Sequence, residues 1–184
     1  GRAPITLAFA GRHNVLNALA ATAMALAAGA PFEAVRAGLQ AAVPVAGRQD
    51  AKTLRNGAVL IDDSYNANPG SVAAAIVALA EACALDGRLS VLVLGDMAEL
   101  GENAEALHAD IGQQAGAAGI AQLWTCGKTS RSTHAAFGAG ARHFDDREAL
   151  VAALSASLTA NQRVLVKGSR SSRMDTVVNA LLDH

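Results

Sequence analysis

Two adjacent carboxylates, Asp62 and Asp63, close the apolar run Ala58–Ile61 and open a loop built almost wholly of amides and hydroxyls, Ser64-Tyr65-Asn66-Ala67-Asn68-Pro69-Gly70-Ser71. A carboxylate at the carboxyl end of a buried strand can accept two hydrogen bonds from a ribose diol. Strand-to-helix loops on that edge are where open α/β sheets place their ligands. Against this stands a plainer use, helix capping and solvated charge. The donors and acceptors of Ser64, Tyr65, Asn66 and Asn68 exceed what one cap requires, which favours a binding loop.

A second cluster gathers cations. Lys167, Arg170 and Arg173 flank Gly168 and Ser169 between a strand and a helix. Backbone N–H groups at a helix start, together with cations, make a site for a phosphate or a carboxylate, although a solvated basic loop has the same composition. A third group, His13, Asn14 and Asn17, occupies the first turns of an alanine-rich helix. Carboxamides can donate to and accept from an adenine edge at once, and they can equally cap the helix.

Other signals are negative. No G-x-G-x-x-G follows a strand and no G-x-x-x-x-G-K-[ST] occurs, so Gly127-Lys128-Thr129 is read as a coincidental fragment of a phosphate loop. No C-x-x-C or Cys/His cluster exists, so no metal site is expected; Cys83 and Cys126 read as buried free thiols of a reducing compartment. His108, His134, His143 and His184 show no ligand spacing.

The elements that must position these groups follow from periodicity. Ile5–Phe9 reads as a strand, Gly11 to Ala28 as a helix stopped by Gly29, and Phe32 to Ala42 as a second helix begun by Pro31. Val43-Pro44-Val45-Ala46-Gly47-Arg48 breaks the pattern and reads as a linker at a domain boundary. Beyond it, Lys52–Arg55 and Ala58–Ile61 flank Asn56-Gly57, a strong hairpin signal. Strands then alternate with helices: strands near 89–94, 122–126, 141–144 and 163–166, and helices over 72–80, 104–118, 130–137, up to Leu158, and 175–182. Pro69 suits the first turn of the first of these helices, with Ser71 as its N-cap. Near-continuous apolar strands such as Val91–Leu94 require burial on both faces. The fold class is therefore α/β, a mostly parallel, doubly wound sheet with an antiparallel hairpin strand at its start. Three loops, 63–71, 95–102 and 167–174, are expected along its carboxyl edge.

Composition narrows the class further. Of 184 residues, 52% are hydrophobic and only 3% aromatic, so the core must be built from Ala, Val, Leu and Ile. With 15 basic and 16 acidic residues the net charge of −1 supplies no case for nucleic acid or an anionic membrane surface. Apolar stretches are broken by Gly, Pro or charge, so no bilayer span and no membrane insertion are expected; a soluble cytoplasmic protein is. Given the abrupt start at Gly1, the protein is expected to extend upstream.

Taken together, Gly11-Arg12-His13-Asn14-Val15-Leu16-Asn17, Gly47-Arg48, Asp62–Ser71, Leu94-Gly95-Asp96-Met97-Ala98-Glu99-Leu100-Gly101 and Lys167-Gly168-Ser169-Arg170 with Met174 resemble the Mur ligase family over nearly the whole chain. The D-D-S-Y-N-A-N-P run resembles the branch that adds D-alanyl-D-alanine. The resemblance implies an ATP- and Mg²⁺-dependent carboxylate–amine ligation in peptidoglycan synthesis, with UDP-N-acetylmuramoyl-tripeptide and D-alanyl-D-alanine as partners and a monomeric enzyme. It implies that residues 1–46 are the tail of a central ATP-binding domain and 47–184 a Rossmann-like C-terminal domain. By motif, Asn14 with His13 and Asn17 would meet adenine, Arg48 an ATP phosphate, and Asp63 the ribose. Ser64, Tyr65, Asn66 and Asn68, with Lys167, Ser169, Arg170 and Arg173, would face the dipeptide or an acyl intermediate. The family's phosphate loop and Mg²⁺ ligands are expected upstream, so the 184 residues alone should be inactive.

Two other classes fit parts of the pattern. A receiver-type phosphoacceptor domain also has paired acids and a late lysine, but its acceptor should end the central strand, where Cys126-Gly127 stands, and Asp96 falls one strand early. A nucleotide- or peptide-binding module without chemistry is the other.

Overall fold

The computed structural model describes residues 3–8, 11–43 and 45–183, Arg12 and His13 by their backbone alone. The chain divides into two compact units, Gly1–Val45 and Ala46–His184. The first holds α1 (Arg12–Ala27) and α2 (Phe32–Ala41). Its one buried hydrophobic side chain among the described residues is Val35. The strand expected from Ile5 is not formed: residues 5–8 are irregular, and Phe9 lies outside the described residues. An apolar pentapeptide makes a strand only where another strand lends it backbone partners, and this unit offers none among the described residues.

In the second unit the strands are β1 (Asp50–Thr53), β2 (Val59–Asp63), β3 (Leu89–Gly95), β4 (Gln122–Cys126), β5 (Ala141–Phe144) and β6 (Gln162–Lys167). They form one sheet in the order β1-β2-β6-β3-β4-β5, antiparallel only between β1 and β2. Asn56 closes the hairpin, its side-chain oxygen accepting from Ala58 N at 3.0 Å. The connecting helices are α3 (Pro69–Asp86), α4 (Ala104–Ala117), α5 (Ser130–Phe137), α6 (Arg147–Ser157) and α7 (Met174–Asp183).

Alternation along each strand divides the core in two. Val91, Val93, Val164 and Val166 pack with Leu150 and Leu154 of α6 and Val177, Val178 and Leu181 of α7. Leu92, Leu94 and Leu165 pack with Val72, Ile76 and Leu79 of α3 and with Ile111 of α4. Both faces are covered, as the apolar strands demanded.

Helix α3 departs from expectation twice. At 18 residues and a mean hydropathy of 1.4 it is long and apolar enough to cross a membrane. Here its apolar stripe of Val72, Ala75, Ile76, Leu79 and Cys83 is buried within the unit. Its N-cap is Asn68 and not Ser71: Asn68 Oδ1 accepts from Ser71 N at 2.8 Å, and Asn68 N donates to Ser71 Oγ at 3.1 Å. Pro69 sits at the first helical position, where its missing N–H is no loss, and this moves the cap to the residue before it.

Candidate functional site

Asp63 and Lys167 are register partners at the carboxyl ends of the parallel strands β2 and β6. Neighbours in register send their side chains to the same face, so the acid and the ammonium meet. Lys167 Nζ donates to Asp63 Oδ2 at 2.7 Å, with side chains 5% and 11% exposed, and to the Asn66 carbonyl at 2.9 Å. Gln49 adds two donors to the same carboxylate, its backbone N at 3.3 Å and its Nε2 at 2.9 Å. Lys167 therefore does not present its ammonium to an open site, as had been expected; it braces the loop that follows β2. Asp63 has three of about four acceptor positions filled. Asp62 closes the next turn, its Oδ1 accepting from Ser64 N at 3.1 Å and Ser64 Oγ at 2.6 Å.

Ser169 ties the three loops together. Its backbone N donates to the Asp96 carbonyl at 2.9 Å, its Oγ donates to the Ala67 carbonyl at 3.1 Å, and that Oγ accepts from Ala98 N at 2.7 Å. At 3% exposure it lines the floor of the cleft that these loops form, while its Oγ stitches the loops together.

What these anchors hold open is a cleft of about 430 Å³. The first loop contributes residues 65–68, the second Ala98, Glu99 and Leu100, and the third Ser169, Arg170 and Ser171. The three loops expected on one edge thus converge on one cavity. Arg173 is not among its lining residues; it is exposed and sits 3.5 Å from Asp175.

Tyr65 stands half out of this cleft. The Arg48 guanidinium lies 4.2 Å and that of Arg170 5.7 Å from its ring centroid. Cations over an aromatic face are held by the ring quadrupole. Among the described residues neither guanidinium has an acidic partner. Arg48 is placed by Gly47, whose carbonyl accepts from Tyr65 N at 3.0 Å. Gly47 has φ +76°, and a Cβ there would lie 3.1 Å from Tyr65 N, so backbone apposition needs glycine.

Backbone strain concentrates along the same edge. The non-glycine residues with positive φ among those described are Gln49 (55°), Glu99 (62°) and Arg173 (53°). Each belongs to a segment that builds or flanks the cleft, and such conformations persist only where their surroundings enforce them. Glu99 lines the cleft although residue type and spacing alone do not single it out. It lies within the Leu94–Gly101 run, and an acid in a loop that follows a buried strand was the signal available.

The Gly127-Lys128-Thr129 segment is occupied by the protein itself. Asp96 Oδ1 accepts from Thr129 N at 3.1 Å and Ser130 N at 2.7 Å, capping α5 from the end of β3. A Cβ on Gly127 would fall 2.5 Å from that oxygen. The Asp96 carboxylate is thus committed, which disfavours a phosphoacceptor role for it. In the first unit Asn14 is half-buried and Asn17 exposed, both in the first turns of α1; the side chain of His13 lies outside the described residues.

Titratable groups elsewhere are structural. Both ring nitrogens of buried His108 are used, Nε2 accepting from Met97 N at 3.0 Å and Nδ1 lying 2.8 Å from the Ala104 carbonyl. Burial pushes the Cys83 and Cys126 thiols up from their ordinary value. Partial burial, with Arg131 and His134 nearby, pushes His143 down. No group of three His, Cys, Asp or Glu suited to a metal occurs among the described residues.

Residues 47–170 match the family described as Mur ligase, glutamate ligase domain. The chain belongs to the Mur ligase family. A relative in Escherichia coli K12, UDP-N-acetylmuramoyl-tripeptide–D-alanyl-D-alanine ligase, is 44% identical over 186 residues, covering 100% of this chain and 40% of the relative. A crystal structure of MurF from Acinetobacter baumannii superposes with a TM-score of 0.85 at 30% identity, over 98% of this chain and 39% of that one. MurF from Thermotoga maritima, solved in complex with ADP, gives 0.80 at 22% identity, over 95% and 39%. This Mur ligase chain spans about 40% of the length of the curated relatives it matches.

Proposed function

We propose that this chain is part of an ATP-dependent carboxylate–amine ligase that adds D-alanyl-D-alanine to UDP-N-acetylmuramoyl-tripeptide in peptidoglycan synthesis, as a monomer in the cytoplasm. Residues 1–46 are then the end of a central ATP-binding domain and residues 47–184 the C-terminal domain. The observation that carries this reading is Tyr65 held beneath two guanidinium groups, Arg48 and Arg170, that have no carboxylate of their own at the mouth of the cleft. Such a pair is suited to a phosphoryl or carboxylate group. The activity named for the Escherichia coli relative and the ADP bound by the Thermotoga relative support the same chemistry.

In this reading the tripeptide carboxylate attacks the γ-phosphorus of ATP and ADP leaves. The dipeptide amine then attacks the acyl carbon, and phosphate leaves. Arg48 offsets charge on the transferring phosphoryl group. Asn14 and Asn17, with His13, meet adenine, and the remaining acceptor position of Asp63 meets the ribose. The loop Ser64–Asn68 and Arg170 face the dipeptide. Mg²⁺ shields phosphate charge in such reactions, and the described residues hold no group of three His, Cys, Asp or Glu suited to it.

The test is phosphate release by the enzyme carrying this chain as its C-terminal part. Release should require ATP, the nucleotide tripeptide and D-alanyl-D-alanine together, and Arg48→Ala should lower turnover by about a hundredfold. The 184 residues alone should release none. Release that ignores the dipeptide, or ligation by the 184 residues alone, would overturn the reading.

A further inference from the structure

The cleft carries two ionic side chains of opposite sign, Glu99 from the loop after β3 and Arg170 from the loop after β6. Neither has an ion-pair partner among the described residues, and Glu99 makes no hydrogen bond there. A cleft with one unpaired acid and one unpaired base is complementary to a small molecule with a charge of each sign at its two ends. It is poorly matched to a polyanion, because Glu99 would repel it. Ala67, Ala98 and Leu100 add apolar lining to the same cleft, against which methyl side chains can pack. Glu99 is also held at φ 62°, a conformation costly for a residue that carries a Cβ, in a loop pinned by the Ala98 N to Ser169 Oγ bond.

We infer that Glu99 is the ammonium-binding residue of the dipeptide site and Arg170 the residue for its free carboxylate, so that the cleft selects a zwitterion and fixes which end faces the acyl donor. This rests on the ligase reading above and adds to it a specificity-determining acid. The ammonium held by Glu99 is the group that must lose a proton before it attacks. A carboxylate in contact with it sets where the nitrogen stands at that moment.

The experiment is an NMR titration of the 184-residue protein and of Glu99→Gln with three probes: D-alanyl-D-alanine, its N-acetyl derivative, which lacks the ammonium, and its C-terminal amide, which lacks the carboxylate. In the parent, D-alanyl-D-alanine should shift amides of residues 65–68, 98–100 and 169–171, and N-acetylation should weaken binding about tenfold. Glu99→Gln should weaken the free dipeptide by a similar factor and leave the N-acetyl form unchanged, removing the discrimination. Glu99→Gly, which relaxes the backbone and also removes the charge, should behave alike and shows that the effect does not come from misfolding. If both variants keep the parent's preference for the free amine, the role of Glu99 is overturned while the dipeptide site stands. If no probe shifts the cleft amides at millimolar concentration, both the inference and the dipeptide site fall.

Discussion

The acid and the lysine that looked most like ligand groups are each other's partners. Asp63 and Lys167 are 104 residues apart in sequence, and only the insertion of β6 between β2 and β3 makes them neighbours. Strand order is not written in periodicity, so the reading of each residue alone was reasonable and the pairing was invisible. Tyr65, by contrast, was legible as a site residue because an aromatic in a polar strand-end loop has no core to enter. A buried pair is costly to break by removing one partner. Lys167→Met is therefore expected to destabilise the second unit by about 3 kcal/mol, with Asp63→Asn/Lys167→Met recovering part of the loss, as read from urea unfolding. A second expectation concerns His143, whose Nδ1 lies 2.8 Å from Thr125 Oγ1. Burial first, then Arg131 and His134, holds its folded pKa below the ordinary value, with Asp145 and Asp96 acting in the opposite sense. The unfolded chain then takes up a proton that the folded one resists. Stability from this group is complete above about pH 6.5 and declines as pH falls through that value toward the folded pKa. His143→Gln should lose less thermal stability than the parent between about pH 7.5 and about pH 5.5.

Elements were more legible than contacts. The period-2 and period-3.6 patterns located all six strands of the second unit, and helices α4, α5 and α7, to within a residue or two, because burial on both sheet faces leaves apolar strands few alternatives. The failures share a cause. Ile5–Phe9 has strand composition but residues 5–8 have no partner strand among the described residues, and Ser71, a hydroxyl before an apolar run, resembles a cap. Pro69 held the correction: a proline at the first helical position places the cap one residue upstream, on Asn68. The cap also orients the loop that supplies Tyr65, Asn66 and Asn68 to the cleft. Asn68→Ala should therefore cost about 1 kcal/mol and Ser71→Ala about half that, since the first removes the acceptor for a helix N–H and the second only the reciprocal bond. Thermal melts of the two variants would check the order, and an equal or inverted effect would show that the loop and not the cap sets the helix start.

At the scale of the molecule, the two units differ in what they can bury. The second covers both faces of a six-stranded sheet with helices, and its largest fully enclosed side chains include Leu60, Ile76, Leu92, Ile111, Leu150 and Leu165. The first has Val35 alone as a buried hydrophobic among its described residues, while Val15, Leu16, Leu19 and Met24 of α1 remain 49%, 59%, 60% and 69% exposed. At about 25 cal/mol per Å² of apolar surface removed from water, one buried valine cannot offset the entropy of ordering two helices, about 1 kcal/mol or more per residue. The cooperative transition of the chain should thus belong to Ala46–His184. A protein shortened to those residues is expected to keep the thermal midpoint of the 184-residue chain within about 3 °C, since a 1 kcal/mol change in a domain of this size moves the midpoint by about that much. Residues 1–45 should lose helical signal gradually over the same range. A drop of about 10 °C on truncation would show that the alanine-rich helices contribute to the stability of the sheet domain, and with it that the two units fold as one.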